Sequence, residues 1–316
     1  MRERVLRIGT RGSRLALYQA ERVRERLAVE SEIVVVKTSG DRLREQPLGK
    51  QDTIGFFTKE IENELLAGRV DIAVHSLKDL PTTLVAGLEL GALLERDAAS
   101  DLLLLRPDAH LPRKDPPLVP GARVGGSAMR RQALLAKLAP GSVPAPIRGN
   151  VTTRIDKARR GDYEAIVLSR SGVQRLALDI EPLLAFDLNP ARWICAPGQG
   201  IIAVETRVDD EYVNEQVAAL DHRDTSDCAR AERQLLFTFG GGCHTPFGAW
   251  ARPDGDLFLI SVAAPGRDGN FQTAHFGPGR LADVQRDADQ WIRAGCPGQE
   301  DERQEQWISR PARPWY

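Results

Sequence analysis

The sequence has 316 residues, 42% hydrophobic and 28% charged, which suits a soluble globular protein of two or three domains and excludes a low-complexity chain. Its 43 basic and 44 acidic residues leave a formal net charge of −1, so no global field marks nucleic acid or a membrane as partner, and any basic site must be local. No run approaches the roughly 18 apolar residues of a membrane span, and the opening residues lack a signal-peptide core, so the chain is expected to be cytoplasmic.

The first third alternates β-branched runs with helical patterns, which predicts an α/β domain with a largely parallel sheet. A strand is expected over 5–8. After the turn Thr10-Arg-Gly-Ser13, the spacing of Ala16, Ala20, Val23 and Leu27 puts one apolar stripe on a helix, with Ser13 as its N-cap. A strand over 33–37, a helix over 58–66 stopped by Gly68, and a strand over 72–74 follow. Chemistry is then expected in loops at strand ends.

A second α/β segment starts near Asp101, and the Pro-rich stretch 107–120 reads as an exposed loop. Val124 leads into a helix over 127–138, residues 145–147 into a helix over 152–160 ended by Gly161, and 165–168 form a strand. The turn Pro197-Gly-Gln-Gly200 precedes a strand over 201–205 that is expected to return the chain to the first domain. From Asp221 on, a helix over 226–237, the run Gly240-Gly-Gly-Cys243, three alternating strands and a helix over 281–294 predict a small α+β domain. The expected division is 1–97 with 198–217, 98–197, 218–298, and a polar tail, 299–316, expected to be poorly ordered.

Three features point to chemistry. Arg11, Arg130, Arg131, Arg148, Arg154 and Arg175 are expected in loops or at helix starts, where guanidiniums and backbone N–H groups favour carboxylates or phosphates. Any one of them alone also fits a solvated helix face. In His75-Ser-Leu-Lys78-Asp79-Leu-Pro81, Asp79 follows a strand, where a carboxylate serves as acid–base group or stabilises a cation, although it also suits an ordinary turn. In Gly240-Gly-Gly-Cys243-His-Thr-Pro246 the glycines present a cysteine on a loop, where a thiolate acts as nucleophile or tether or remains a free structural thiol. Cys195, Cys228 and Cys296 show neither disulfide nor zinc spacing and read as small buried apolar residues, with no metal expected.

Thr10-Arg-Gly-Ser-Arg-Leu-Ala-Leu17, Lys37-Thr-Ser-Gly-Asp41, Phe57-Thr-Lys-Glu60, the His75 to Pro81 string, Arg130-Arg131, Arg148-Gly-Asn150, Gly198-Gln-Gly200 and Gly241-Gly-Cys243 together resemble, in order and spacing, the porphobilinogen deaminase (hydroxymethylbilane synthase) family. The resemblance runs from about Arg7 to Ala251. It implies two domains built like a type II periplasmic binding protein, with the active site in the cleft between them, and a small α+β domain carrying a dipyrromethane cofactor joined through a thioether to Cys243. It also implies a monomer that condenses porphobilinogen, with neither nucleic acid nor membrane as partner. Asp79 would stabilise charge on a pyrrole nitrogen and assist proton transfer. Lys78, Arg131, Ser127, Arg148, Arg154 and Gln199 would hold the cofactor, and Arg11, Ser13, Arg130, Arg148, Arg154, Arg175 and Ser169 the substrate.

The chain departs from the family pattern near these positions. Ile54 stands where the family has a lid lysine, Gly126-Ser127-Ala128 where it has Thr-Ser-Ser, and Ser169-Arg170-Ser171-Gly172 where it favours Ala-x-Ala-Gly. An ordinary synthase, a diverged paralogue releasing a shorter or differently capped oligopyrrole, and a non-catalytic binding protein on the same fold are the readings these departures leave. Retention of Asp79 and Cys243 disfavours the last.

Overall fold

The computed structural model describes residues 4–37, 58–242, 245–298 and 308–311. The chain divides into two units, Met1–Asp97 with Gly200–Arg230, and Ala98–Gln199 with Ala231–Tyr316. Cys243, Ile54, Phe57 and 38–41 lie outside the described residues.

In the first unit, β1 (Leu6–Arg11) pairs in parallel with β2 (Ser31–Val36) and β3 (Ile72–Ser76). The chain comes back as β10 (Ile202–Arg207), antiparallel to both β3 and β4 (Leu88–Leu93), which gives the order β2-β1-β3-β10-β4. The expected return strand is therefore present. β4 was not expected, because Leu88-Glu-Leu-Gly-Ala-Leu93 lacks the β-branched residues that announce a strand. α1 (Arg14–Arg24) starts at Ser13, whose hydroxyl accepts a hydrogen bond from the Ala16 N–H at 3.3 Å, as its position predicts.

α1 and α6 (Glu211–Ala218) cover one face of this sheet, where Ala20, Val23, Val213 and Val217 pack on Ile8, Val74 and Val204. On the other face α2 (Lys59–Leu66) sets Ile61 and Leu65 against Ala73 and Leu88. Both Ile61 and Leu65 are fully buried, and each contributes about 1.5–3 kcal/mol by leaving water.

The second unit repeats strand and helix. Its sheet has the order β14-β9-β5-β8-β6-β7, formed by β5 (Asp101–Leu105), β6 (Arg123–Gly125), β7 (Val143–Ala145), β8 (Ala165–Ser169), β9 (Leu184–Leu188) and β14 (Ile308–Pro311). β6 runs parallel to β7 and β8, and β5 runs antiparallel to β8. α3 (Met129–Leu138), α4 (Val151–Arg159) and α5 (Arg170–Arg175) follow β6, β7 and β8. Within the expected polar tail, residues 308–311 pair with the edge of β9 as an antiparallel strand, taking up backbone groups which that edge offers; the rest of the tail lies outside the described residues.

α7 (Arg223–Thr238) is followed by β11 (Gly248–Asp254), β12 (Leu257–Pro265) and β13 (Phe271–Gly279), an antiparallel sheet packed on α8 (Leu281–Arg293). Lys137 on α3 donates to the Thr273 hydroxyl at 3.2 Å, and the Ala249 N–H to the Cys195 carbonyl at 3.1 Å, so within this unit the small sheet is tied to the large one. Among the described residues no helix is long and apolar enough to cross a membrane.

Candidate active site

β1 and β3 end side by side in the first unit, and the turns after these parallel strands form the wall of a cavity of about 70 Å3. Arg11, Ser13, Gln19, His75, Ser76 and Asp79 are among its lining residues. Asp79 sits in a single 3-10 turn, Leu77–Asp79, whose flanks are anchored: Leu77 and Leu80 are buried, and the Leu77 N–H donates to the Ile201 carbonyl at 3.0 Å. Two buried leucines thus hold an exposed carboxylate at the cavity, with the half-buried Lys78 beside it in the turn. Gln19 donates to the Ser76 hydroxyl at 2.7 Å and fixes the end of β3. Of the residues expected to act on ligand, Arg11, Ser13 and Asp79 come together in this cavity.

In the second unit the centre is a residue that sequence reading did not single out. Asp101 opens β5 fully buried, and its carboxylate accepts from Arg130 Nη2 at 2.9 Å, Arg131 Nε and Nη2 at 3.0 and 2.8 Å, Trp193 Nε1 at 2.8 Å and Gln199 Nε2 at 2.8 Å. Burial opposes its charge, but the guanidiniums of Arg131 and Arg130 win and hold the carboxyl well below the usual carboxylate range. Arg130 also donates to the Ile194 carbonyl at 2.7 Å and Arg131 to the Val167 carbonyl at 3.2 Å. Gln199 is fully buried and also donates to the Ala99 carbonyl at 2.7 Å. The structure therefore places Arg130, Arg131 and Gln199 around an internal carboxylate. The signal in the sequence was a charged residue opening an apolar run, Asp101-Leu-Leu-Leu-Leu105.

Arg154 differs from them. Its Nε donates to the Gly149 carbonyl at 2.8 Å, and its pKa is pushed down to about 10 by burial and by the like charge of Arg131. It lies on α4, which Asn150 caps by accepting from the Thr153 N–H at 2.9 Å. Gly149 before it has φ +115, and a Cβ there would lie 2.7 Å from the Thr153 side chain, so the turn requires glycine. Arg148 is exposed in that turn. Ser127 donates to the Ile147 carbonyl and accepts from the Ile147 N–H at 3.2 Å, which ties the turn after β6 to the turn after β7. Ser169 and Ser171 share a hydrogen bond at 2.8 Å at the start of α5. Arg175 closes α5 and is buried, so it stands at a helix end rather than in a loop or at a helix start.

Glu232 on α7 was also missed. It is fully buried and accepts from the Gly198 N–H at 2.7 Å and the Ala251 N–H at 2.8 Å, joining the Gly198 turn to β11. Gly198 has φ +72, so the turn that presents Gln199 needs a residue without a side chain there. Cys195, Cys228 and Cys296 are buried thiols, as expected, and burial pushes the Cys296 thiol up to about 11.

Known proteins resemble the chain over most of its length. A family profile described as "Porphobilinogen deaminase, dipyromethane cofactor binding domain" matches residues 6–215. Porphobilinogen deaminase of Syntrophobacter fumaroxidans is 41% identical over 270 residues, 84% of this chain and 85% of that protein. That of Xanthomonas campestris pv. campestris is 40% identical over 289 residues, 89% and 93% of the two chains. A probable porphobilinogen deaminase of Methanocaldococcus jannaschii is 42% identical over 263 residues, 82% and 87% of the two chains. Among solved structures, an ancestral cationic amino acid solute binding protein covers 72% of this chain and 93% of its own at 13% identity and a TM-score of 0.41.

Proposed function

The chain belongs to the porphobilinogen deaminase family of hydroxymethylbilane synthase transferases, and from that premise we propose how its residues divide the reaction. The enzyme condenses porphobilinogen units head-to-tail, with loss of ammonia, and releases a linear tetrapyrrole. When bound, the dipyrromethane cofactor supplies the free pyrrole carbon from which the chain is extended.

Arg154 is the observation that supports the anion-binding role. In the second unit Arg130 and Arg131 are held on Asp101, and the Arg154 guanidinium is destabilised by burial and by the like charge of Arg131. A ligand carboxylate there would relieve that repulsion, and each pyrrole brings two. Such a basin fits the cofactor. Arg148 and Arg154 would take its carboxylates with bidentate, charge-assisted hydrogen bonds, and Arg131, whose fork is engaged by Asp101, would add its charge beside them. Ser127 and Gln199 hold the surrounding turns, and Lys78 adds a cation beside Asp79. For incoming porphobilinogen we assign Arg11, Ser13, Ser169 and Arg175, with Arg130 acting through Asp101.

Asp79 would hold its negative charge beside the pyrrole nitrogen as positive charge develops there, and take up or return the proton exchanged at the reacting carbon. Its anchored, exposed position supports that role. Cys243 would carry the cofactor through a thioether, on the strength of its glycine-rich run and its place in the family pattern. We treat 218–298 as a third domain built on the small sheet, and the enzyme as a monomer of the cytoplasm, a compartment that its buried thiols outside disulfides suit.

Intact-protein mass spectrometry and product analysis test this together. Protein from a host that supplies porphobilinogen should carry the mass of one dipyrromethane, lose it in Cys243→Ser, and release hydroxymethylbilane. A bare chain mass with full turnover would overturn the tether.

A further inference from the structure

Behind the wall of the first unit's cavity, on the face covered by α2, lies a set of ionisable groups that the proposed chemistry leaves unused. In the antiparallel register Glu205 stands opposite Ala73 and Ala203 opposite His75, so strand alternation puts His75 and Glu205 diagonally on one face. Ala73 on that face packs with Ile61 and Leu65 of α2, and Glu62 lies between those two in the sequence. The exposures of His75, Glu205 and Glu62 are 5%, 0% and 4%. His75 Nε2 is 3.4 Å from Glu205 Oε2, and neither Glu205 oxygen has a hydrogen-bond partner among the described residues. Buried carboxylates in that condition require a reason.

A charged His75 would neutralise Glu205, which leaves Glu62 as a second buried carboxylate with no cation of its own among the described residues. Burial and the charge of Glu205 both push its carboxyl up from the usual range. The charged neighbours lie elsewhere. Arg207 of β10 donates to the Leu65 and Val70 carbonyls at the far end of α2; Lys59 and Glu60 occupy the first turn of α2; Arg11, Lys78 and Asp79 lie at the strand ends. His75 is the member of the cluster that reaches the cavity wall, four residues before Asp79.

We propose that Glu62, His75 and Glu205 are positioning residues for the reaction at Asp79: a proton held on Glu62 keeps the cluster neutral and the end of β3, with its turn, in the reacting conformation. When Glu62 ionises, two buried carboxylates face one another beneath β3, and the turn loosens. This inference rests on the porphobilinogen deaminase reading for its substrate, but not for its spectroscopic test.

The experiment uses the cofactor-loaded enzyme and two variants. With porphobilinogen as substrate, wild-type kcat should fall about 3-fold or more as rising pH ionises Glu62, with KM changing less than about 2-fold. Glu62→Gln, which mimics the protonated acid, should extend the kcat plateau to higher pH. Glu205→Gln, which breaks the pairing with His75, should lower kcat about 10-fold with KM within about 2-fold and cofactor content unchanged. Infrared spectroscopy should show a protonated-carboxyl band on the kcat plateau in the wild type that Glu62→Gln lacks. Parallel pH profiles, absence of that band, or a Glu205→Gln loss that tracks unfolding or loss of cofactor would each overturn the proposal. A band present in protein that does not consume porphobilinogen would instead sink the substrate assignment and leave the cluster standing.

Discussion

The two basins occupy corresponding places, the turns after parallel strands, yet they treat buried charge in opposite ways. In the first unit Glu62 and Glu205 are buried near His75, and the Glu62 carboxyl is pushed up. In the second, Asp101 is saturated by two guanidiniums, an indole and an amide and is held far down. A buried carboxylate is neutralised either by a proton or by a cation, and the choice fixes what the basin offers a ligand. The first unit presents an exposed carboxylate suited to a developing cation; the second has guanidinium charge in excess, suited to a polyanion.

The sharpest way to break this contrast is to remove the hub. Asp101→Asn leaves Arg130 and Arg131 buried without their anion and should cost about 3–5 kcal/mol, read from the urea midpoint of the loaded enzyme. The sign with pH follows from the lowered carboxyl. Its contribution is complete above the unfolded carboxylate pKa of about 4 and is lost as pH falls toward the folded value, so acid unfolding of the variant should be shallower than that of the wild type. Equal midpoints would mean that the hub holds nothing. In the first unit the matching change is Asp79→Asn, at an exposed carboxylate. Turnover should fall at least ~10²-fold in protein whose melting temperature stays close to wild type. Near-normal turnover there would remove Asp79 from the chemistry.

The uneven visibility of the two basins in the sequence has the same origin. The Ser13 cap, the helix stripe after it and the turn around Asp79 are local, and spacing alone predicts them. Asp101 was not legible, because its partners lie 29, 30, 92 and 98 positions away and only the closed sheet gathers them. For the same reason the arginines read as ligand binders could not be sorted: Arg130 and Arg131 are committed to Asp101, while Arg154 is not. β4, β9, α5 and α6 were missed because they are short and weakly patterned, and their register comes from neighbouring strands.

Arg154 sharpens the contrast within the second basin. A ligand carboxylate should be bound there by charge-assisted hydrogen bonds, so Arg154→Ala should weaken cofactor loading or raise KM about 10-fold or more, with the urea midpoint little changed. Arg154→Lys should recover only part of this, since an ammonium lacks the bidentate fork. A variant with wild-type loading and kinetics would return this arginine to the solvated surface.

The smallest expected effect concerns Gly126 and Ala128, where the family carries hydroxyls. A Cβ at Gly126 would stand 3.5 Å from the Arg131 Cβ and 4.0 Å from Leu135, ordinary contacts, so a side chain can start at 126 without displacing the helix that carries Arg131. Ser127 keeps the hydroxyl that brackets Ile147, and the hub around Asp101 draws nothing from either position. Adding Thr at 126 and Ser at 128 therefore supplies donors to a basin whose charge is already set by guanidiniums. Hydroxyl donors that share a carboxylate with guanidiniums should each add about 0.5 kcal/mol, the low end for a hydrogen bond, and change KM by no more than a few-fold. Chromatography of the released pyrroles should find hydroxymethylbilane as the main product of both wild type and the double variant. A wild type that releases shorter chains, with the double variant restoring the tetrapyrrole, would show that these side chains, and not the guanidinium excess, set the length.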